Sequence, residues 1–396
     1  MAVKLSWMAY FEESEMLVNK AFENDKLDLT EVEGLADLLN AETEAQRRLA
    51  LRQADGGLKT LYENWRTQLI QSMALIEALI DFSEDENIED DVYDNVNTLY
   101  GDIKRHTDDG RCGEILRDGI HVTILGPPNA GKSSFLNFIT KRQAAIVSPI
   151  PGTTRDVVEV SLDIGGYPIL IGDTAGLRSS KDAIEMEGVR RAQDRINLAD
   201  INIAVLPITD FHSNSGTSIA EDASRGCNVD PIMLEAIRRN PQTLVLINKM
   251  DLSGPDAEKI MSKIQSQLWP NLPPRHDLEG SKGVRADDSV RTHGLWGISC
   301  QTGDGIGQFL QDFVKVLKEK FETSLTGGTS ITQYRHRKHL ENCLQSLEAF
   351  LNYGPDDIVL GAEELRHAAS DLGRITGRVD VEEVLDVVFR EFCIGK

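Results

Sequence analysis

The sequence predicts an α/β domain on a doubly wound, mostly parallel sheet, inserted into an all-α helical domain. Three observations predict it. From Gly119 onward, short apolar runs alternate with helical stretches, the rhythm of strands joined by helical crossovers. One of those runs, HVTILG, enters the loop Gly126-Pro127-Pro128-Asn129-Ala130-Gly131-Lys132-Ser133, which has the glycine and lysine spacing of a phosphate loop. On both sides of this region apolar residues recur at helical period instead. The parts read as residues 1–118 for the first helical part, 119–322 for the α/β domain and 323–396 for the second helical part.

Thr30-Glu31-Val32-Glu33 has capping-box spacing and starts the first helix, with Glu33 reaching back to the Thr30 amide. Val32, Leu35, Ala36 and Leu39 form its apolar stripe. Asp55-Gly56-Gly57 breaks the pattern, and a second stripe follows through Leu58, Leu61, Trp65, Leu69, Ile76 and Leu79. The acidic run Asp81 to Asp91 reads as a solvated connector. In the α/β domain, VVEVSLD and YPILIGD flank Gly165-Gly166, a hairpin signal. INIAVL, TLVLI and LWGIS are further strands, and GIGQFLQDFVKVLKEKF is the closing helix. The connections Thr209 to Asp230 and Trp269 to His293 are long and polar, which reads as disorder rather than a partner-binding insertion. Helices return in HLENCLQSLEAFL, GAEELRHAASDLGRI and DVEEVLDVVFREFCI. Neither flank buries its stripes alone, so the two ends form one domain.

A formal charge of -22 opposes non-specific binding to nucleic acid or anionic membrane. Gln333 to Leu340, QYRHRKHL, is one candidate for a local basic patch, and it reads as a solvated helix face. No apolar run approaches the roughly 20 residues of a membrane span. The five cysteines are scattered without metal-like spacing, as free thiols of a reducing compartment are. The opening MAVKLSWMAYFEESEM has neither transit-peptide nor signal-peptide character. Gly395 and Lys396 fit prenylation at Cys393 poorly.

The phosphate-loop glycines let backbone amides converge on phosphate oxygens, and the following helix adds its positive end. Lys132 brings a cation to the terminal phosphates, and Ser133, followed by Ser134, offers a hydroxyl to Mg²⁺. Asp173-Thr174-Ala175-Gly176 ends a strand, where Asp173 can hold Mg²⁺ through a water and Gly176 can report the γ-phosphate. In Gly152-Thr153-Thr154-Arg155-Asp156, Thr154 can close over Mg²⁺ as a first switch. Asn248-Lys249-Met250-Asp251 follows the strand TLVLI, and the Asp251 carboxylate can accept both guanine N1–H and the 2-amino group. Adenine offers no such donor pair. Ser299-Cys300-Gln301 can close over the base. Five elements in this order make a P-loop GTPase domain that binds GTP with Mg²⁺.

Many GTPases place a water-aiming glutamine after the DTAG glycine, and here that position is Leu177. Arg155 and Arg178 lie in the switches and read either as catalytic arginines or as solvated loop residues. Asn129, three before Lys132, can hold a monovalent cation by its amide oxygen in the place of an arginine. Glu185 can orient water, or be a surface helical acid.

GPPNAGKSS, PGTTRD, DTAGLR, NKMD and the C-terminal FCIGK together resemble the MnmE/TrmE family, tRNA-modification GTPases of bacteria with mitochondrial relatives. Lys20 to Leu51 looks like the start of that family's helical domain, and the resemblance runs from about Val18 to the end. It implies a K⁺-stimulated GTPase whose G domains form a transient homodimer across their nucleotide faces. Asn129 would ligate K⁺, with backbone carbonyls of Ser148, Ile150 and Thr153 completing the cation loop. Glu185 would orient water, and Cys393 would match a cysteine implicated in the modification reaction. The partner implied is an FAD-dependent protein of the MnmG/GidA type. With it the family installs an aminomethyl-type group on C5 of the wobble uridine of certain tRNAs, with taurine or glycine as amine in mitochondrial relatives. The family's N-terminal domain, which binds a tetrahydrofolate donor, has no counterpart in MAVKLSWMAYFEES, so tetrahydrofolate binding is not expected of this chain, as a fragment, a mis-started chain or one that has lost the domain. The expected compartment is the mitochondrial matrix, with the bacterial cytoplasm as alternative. Two other functions compete: a GTP-switched scaffold without modification activity, and a ribosome-assembly GTPase, against which FCIGK argues.

Overall fold

The structure, a computed structural model, describes residues 20–22, 24, 26–82, 86–108, 111–142, 145–146, 160–172, 199–211, 234, 237–238, 243–254, 257–269, 294–326, 329–353 and 357–377. The chain divides into two compact units, Met1–Asp118 with Glu319–Lys396, and Gly119–Lys318. In chain order the described elements begin with five helices, α1 (Leu29–Asn40), α2 (Glu44–Ala54), α3 (Gly57–Phe82), α4 (Glu86–Asp108) and α5 (Cys112–Asp118). The second unit follows with β1 (Ile120–Leu125), α6 (Lys132–Arg142), β2 (Ala145–Ile146), β3 (Val160–Ile164), β4 (Tyr167–Ile171), β5 (Ile201–Pro207), β6 (Thr243–Asn248), α7 (Ala257–Leu268) and β7 (Leu295–Gly297). Helix α8 (Ile306–Thr326) runs through the border at Lys318, and α9 (Tyr334–Asn352) and α10 (Ile358–Thr376) return to the first unit.

The sheet order is β2-β3-β4-β1-β5-β6-β7. Strands β4, β1, β5, β6 and β7 are parallel, and β3 pairs antiparallel with both β2 and β4. This is the mostly parallel sheet the sequence predicts. Every residue of β5 and β6 is buried, as central strands covered on both faces must be. The β3–β4 hairpin turns on Gly165 (φ 64°) and Gly166 (φ 88°), the two positive dihedrals a twisted two-residue turn demands. Phe309 of α8 packs on Phe135 of α6 at 5.8 Å and edge-on to Trp296 of β7 at 5.3 Å. Those rings seat the helix that follows the phosphate loop. Among the described residues no helix is long and apolar enough to cross a membrane.

Among the described residues the helical unit has a core cluster drawn from both halves of the chain. Leu58, Tyr62, Trp65, Leu69 and Ile76 of α3 and Val96, Leu99 and Ile103 of α4 pack with Leu340, Leu347 and Phe350 of α9 and with Leu365 and Leu372 of α10. The predicted second stripe is therefore core, with Leu61 partly buried against it and the Leu79 side chain outside the described residues.

Some readings need correction and others fall outside the described residues. The first helix begins two residues early. Asp28 is its N-cap, its Oδ1 accepting from Glu31 N at 2.8 Å while Glu31 Oε2 accepts from Asp28 N at 2.7 Å. Thr30 donates its hydroxyl to Asp28 instead. Aspartate ranks above threonine as an N-cap, and Glu31 stands three residues on to complete its box. Leu39 is 58% exposed, because the stripe turns outward in the last turn. Most of the acidic run is helical backbone, with α3 reaching Phe82 and α4 starting at Glu86. The long polar connections and residues 380–394 lie almost wholly outside the described residues.

A further correction concerns QYRHRKHL, which is neither a basic patch nor a solvated face. Only Tyr334 and Lys338 are exposed, while His336 is fully buried. Arg337 Nε donates to Glu114 Oε1 at 2.8 Å, and Arg335 Nη2 to Glu33 Oε1 at 3.0 Å. His336 Nε2 lies 2.7 Å from Glu33 Oε2. A carboxylate only accepts, so Nε2 carries the proton and Nδ1 is a bare lone pair without a hydrogen-bond partner. Burial pushes the His336 imidazole below its ordinary range, with Glu33 opposing only in part. Burial alone would raise the Glu33 carboxyl, but His336 and then Arg335 outweigh it and hold it low. Charged side chains that look like surface from spacing are here spent on one another.

Both shifts have the same sign in stability. The unfolded imidazole takes up a proton near 6.5 before the folded one does, and the folded carboxylate is favoured above 4.5. Stability from this pair is therefore full above pH 6.5 and lost as pH falls. The urea midpoint should drop between about pH 7 and about pH 5; a flat midpoint would contradict the assignment. Glu33→Ala should cost about 3–5 kcal/mol at neutral pH, because it strands the Arg335 charge.

Candidate nucleotide site

The site forms at the carboxyl ends of β1, β5 and β6, where the strand order reverses about β1, the ligand position of open α/β sheets. Leaving β1, the chain turns through Gly126 at φ 150°, Asn129 at φ 62° and Gly131 at φ 98° before α6 begins at Lys132. A Cβ on Gly126 would lie 2.1 Å from Val205 O, and one on Gly131 2.1 Å from Asn248 Nδ2. Only glycine lets the loop close this tightly on the sheet, and closure leaves the first-turn amides of α6 pointing out of the helix end. That is an anion cradle. Pro128, Asn129, Ser133 and Ser134 are exposed and Ala130 is fully buried. Asn129 adopts the left-handed conformation that asparagine tolerates better than most residues.

Lys132 Nζ donates to Gly126 O at 2.7 Å and Pro127 O at 2.8 Å. Its charge is thereby held over the loop, with a third N–H left over. Partial burial lowers its pKa.

The buried Asn248 side chain joins the two halves of the site. Its Nδ2 donates to Ala130 O at 2.8 Å in the phosphate loop, and its Oδ1 accepts from Cys300 N at 3.1 Å after β7. Lys249 follows at φ 65° and starts a short 3-10 turn, Met250–Leu252. This swings Asp251 outward, where it is exposed. Asp251 Oδ1 accepts the hydroxyl of buried Ser299 at 2.6 Å, leaving the rest of the carboxylate open to a base. Burial pushes the Cys300 thiol up to about 11, so it is neutral at physiological pH.

The structure therefore brings together Asn129, Ala130, Gly131, Lys132, Ser133 and Ser134 with Asn248, Lys249, Asp251, Ser299 and Cys300. Ser148, Ile150, Thr153, Thr154, Arg155, Asp173, Thr174, Ala175, Gly176, Arg178, Glu185 and Cys393 lie outside the described residues. Sequence reading missed the brace beneath Ser299. Its Oγ accepts from Thr302 N at 3.2 Å, and its N–H donates to Asp304 O at 3.0 Å. Gly305 (φ 74°) closes the brace, since a Cβ there would meet Gly297 O at 2.1 Å. The signal was the glycine pair in QTGDGIG, directly after the last strand.

The family described as the MnmE helical domain matches residues 29–393. A mitochondrial 5-taurinomethyluridine tRNA synthase subunit, GTPB3, from Danio rerio is 44% identical over 388 residues, spanning 97% of this chain and 73% of the relative. The protein of that name from Homo sapiens is 40% identical over 389 residues, 97% of this chain and 72% of the relative. The tRNA modification GTPase MnmE of Paramagnetospirillum magneticum is 43% identical over 382 residues, 95% of this chain and 75% of the relative.

Two substitutions test the geometry. Asn248→Ala strands Ala130 O and Cys300 N and should weaken GTP by about 2–4 kcal/mol, roughly 30- to 1000-fold in Kd. Asp251→Asn puts an amide where guanine's two donors arrive. It should weaken GTP at least about 10²-fold and improve binding of xanthosine triphosphate, whose base presents an acceptor there. Calorimetric titration with both nucleotides checks each.

Proposed function

This chain belongs to the MnmE family, and on that premise we propose that it is a K⁺-stimulated GTPase acting with an FAD-dependent MnmG/GidA-type partner on the wobble uridine of tRNA. A GTPase of tRNA modification is what its relatives are named. The observation that carries the nucleotide reading is Asn248, whose amide links the phosphate loop to the base-side loop. With Asp251 aimed outward beside it, the site can recognise both ends of GTP at once.

One described residue supports the reading at each cation. Ser133, exposed at the start of α6, would hold Mg²⁺ together with Thr154 and Asp173. Exposed Asn129 displays its amide from a left-handed backbone and would hold K⁺ with the carbonyls of Ser148, Ile150 and Thr153. When bound, the two ions supply the positive charge that other GTPases draw partly from an arginine. On this reading the chain's own groups share the remaining work. Lys132 binds the terminal phosphates, Glu185 orients water in the place Leu177 cannot serve, and Arg178 is a secondary candidate. Cys393 takes part in the modification itself. The G domains pair transiently across their nucleotide faces. An aminomethyl-type group is added at C5, with taurine as amine if the chain follows its mitochondrial relatives, and the compartment is then the mitochondrial matrix.

Asn129→Ala should abolish K⁺ stimulation while GTP still binds; turnover equally fast in sodium and potassium for the parent chain would overturn the cation assignment. Glu185→Ala should slow turnover by about 10²–10³-fold with little change in affinity. Nucleoside analysis of tRNA from a strain lacking the gene, with and without this chain restored, checks the modification reading. Wobble uridines that stay modified in the deletion would refute it.

A further inference from the structure

Asp251 is exposed on a short turn, where a carboxylate would ordinarily rotate freely. Here its Oδ1 is met at 2.6 Å by the hydroxyl of Ser299. A serine oxygen has one proton to give and lone pairs with which to accept. Thr302 N donates into that oxygen at 3.2 Å, which leaves the proton for Asp251. Thr302 is held in its turn by its own hydroxyl, which donates to Asp304 Oδ2 at 2.6 Å and accepts from Asp304 N at 3.4 Å. The main chain closes the ring. Ser299 N donates to Asp304 O at 3.0 Å and Gly303 N to Ser299 O at 2.8 Å. Gly303 (φ 87°) sets the ring against α6, where a Cβ would lie 3.2 Å from the Phe138 ring. Residues 299–304 thus form a closed circuit of hydrogen bonds that delivers the Ser299 proton to Asp251. Thr302 and Asp304 are themselves exposed, so their pairing fills no core.

Resting on the reading of Asp251 as guanine's acceptor, we propose that Thr302 and Asp304 are positioning residues for base selection. They hold Ser299 so that its hydroxyl fixes the Asp251 carboxylate before the base arrives. A carboxylate fixed in advance cannot turn to suit a base with one donor fewer, so it discriminates where a free one would adapt.

Inosine triphosphate differs from GTP only in lacking the 2-amino group. The ratio of its Kd to that of GTP therefore cancels every phosphate and ribose contact and reads the base alone. Thr302→Val removes the hydroxyl at nearly constant shape, and Asp304→Ala removes its acceptor. Each should lower that ratio at least about threefold in calorimetric titration, while Thr302→Ser, which keeps the hydroxyl, should hold the parent ratio. A parental ratio in both Thr302→Val and Asp304→Ala would overturn the proposal. So would a Thr302→Ser ratio as low as that of Thr302→Val. Equal weakening of both nucleotides with a lower thermal midpoint would also overturn it, leaving the ring a folding element only. Asp251→Ala separates the premises. If the discrimination survives it, Asp251 is not guanine's acceptor and that reading fails, taking the proposal with it. If Asp251→Ala erases the discrimination while the ring variants keep it, the reading stands and the ring alone fails.

Discussion

The nucleotide site depends on one buried carboxamide. Asn248 can donate and accept at once, and it spends both capacities on main chain: the carbonyl of Ala130 and the amide of Cys300. Neither loop is regular structure, and loops are ordinarily the least constrained parts of a domain. Tying both to the end of a fully buried strand gives them the rigidity of the sheet. The glycines on either side serve this tie. Gly131 leaves room for the Asn248 amide, and Gly126 lets the loop lie against β5. Without these close approaches the amide would be an unsatisfied polar group in the core, costing about 1–3 kcal/mol.

The helical unit solves a related problem with charges. Glu33, Arg335, His336, Arg337 and Glu114 are drawn from α1, α5 and α9 and neutralise one another away from water. A buried ion pair adds little net stability but is costly to break, so such clusters specify arrangement more than they strengthen it. A helix shifted by one turn would strand a charge, which an all-apolar seam would forgive.

Much of this was legible in the sequence because the relevant signals are local. Strand rhythm, the Gly165-Gly166 turn and the phosphate-loop spacing each depend on neighbouring residues, and each appears in the structure. The α3 stripe was legible for the same reason. Partners distant in sequence were not. Nothing within the window of Gln333–Leu340 announces Glu33 or Glu114, so basic residues read as solvent-facing by default. The capping-box spacing read from Thr30 is matched two residues earlier by Asp28 and Glu31, which is the pair the structure uses. In the site, residue types showed what could bind a base, but not that Asn248 would be spent on holding two loops.

The Glu33–His336 contact bridges 303 positions of chain. During synthesis at about 5–20 residues per second, the first half of this pair waits roughly 15–60 s for the second. Through that interval the apolar face of α3 has no α9 or α10 to cover it. The architecture thus leaves the apolar face of α3 without its later partners for that whole interval, the kind of exposed surface that makes partly made chains prone to aggregate.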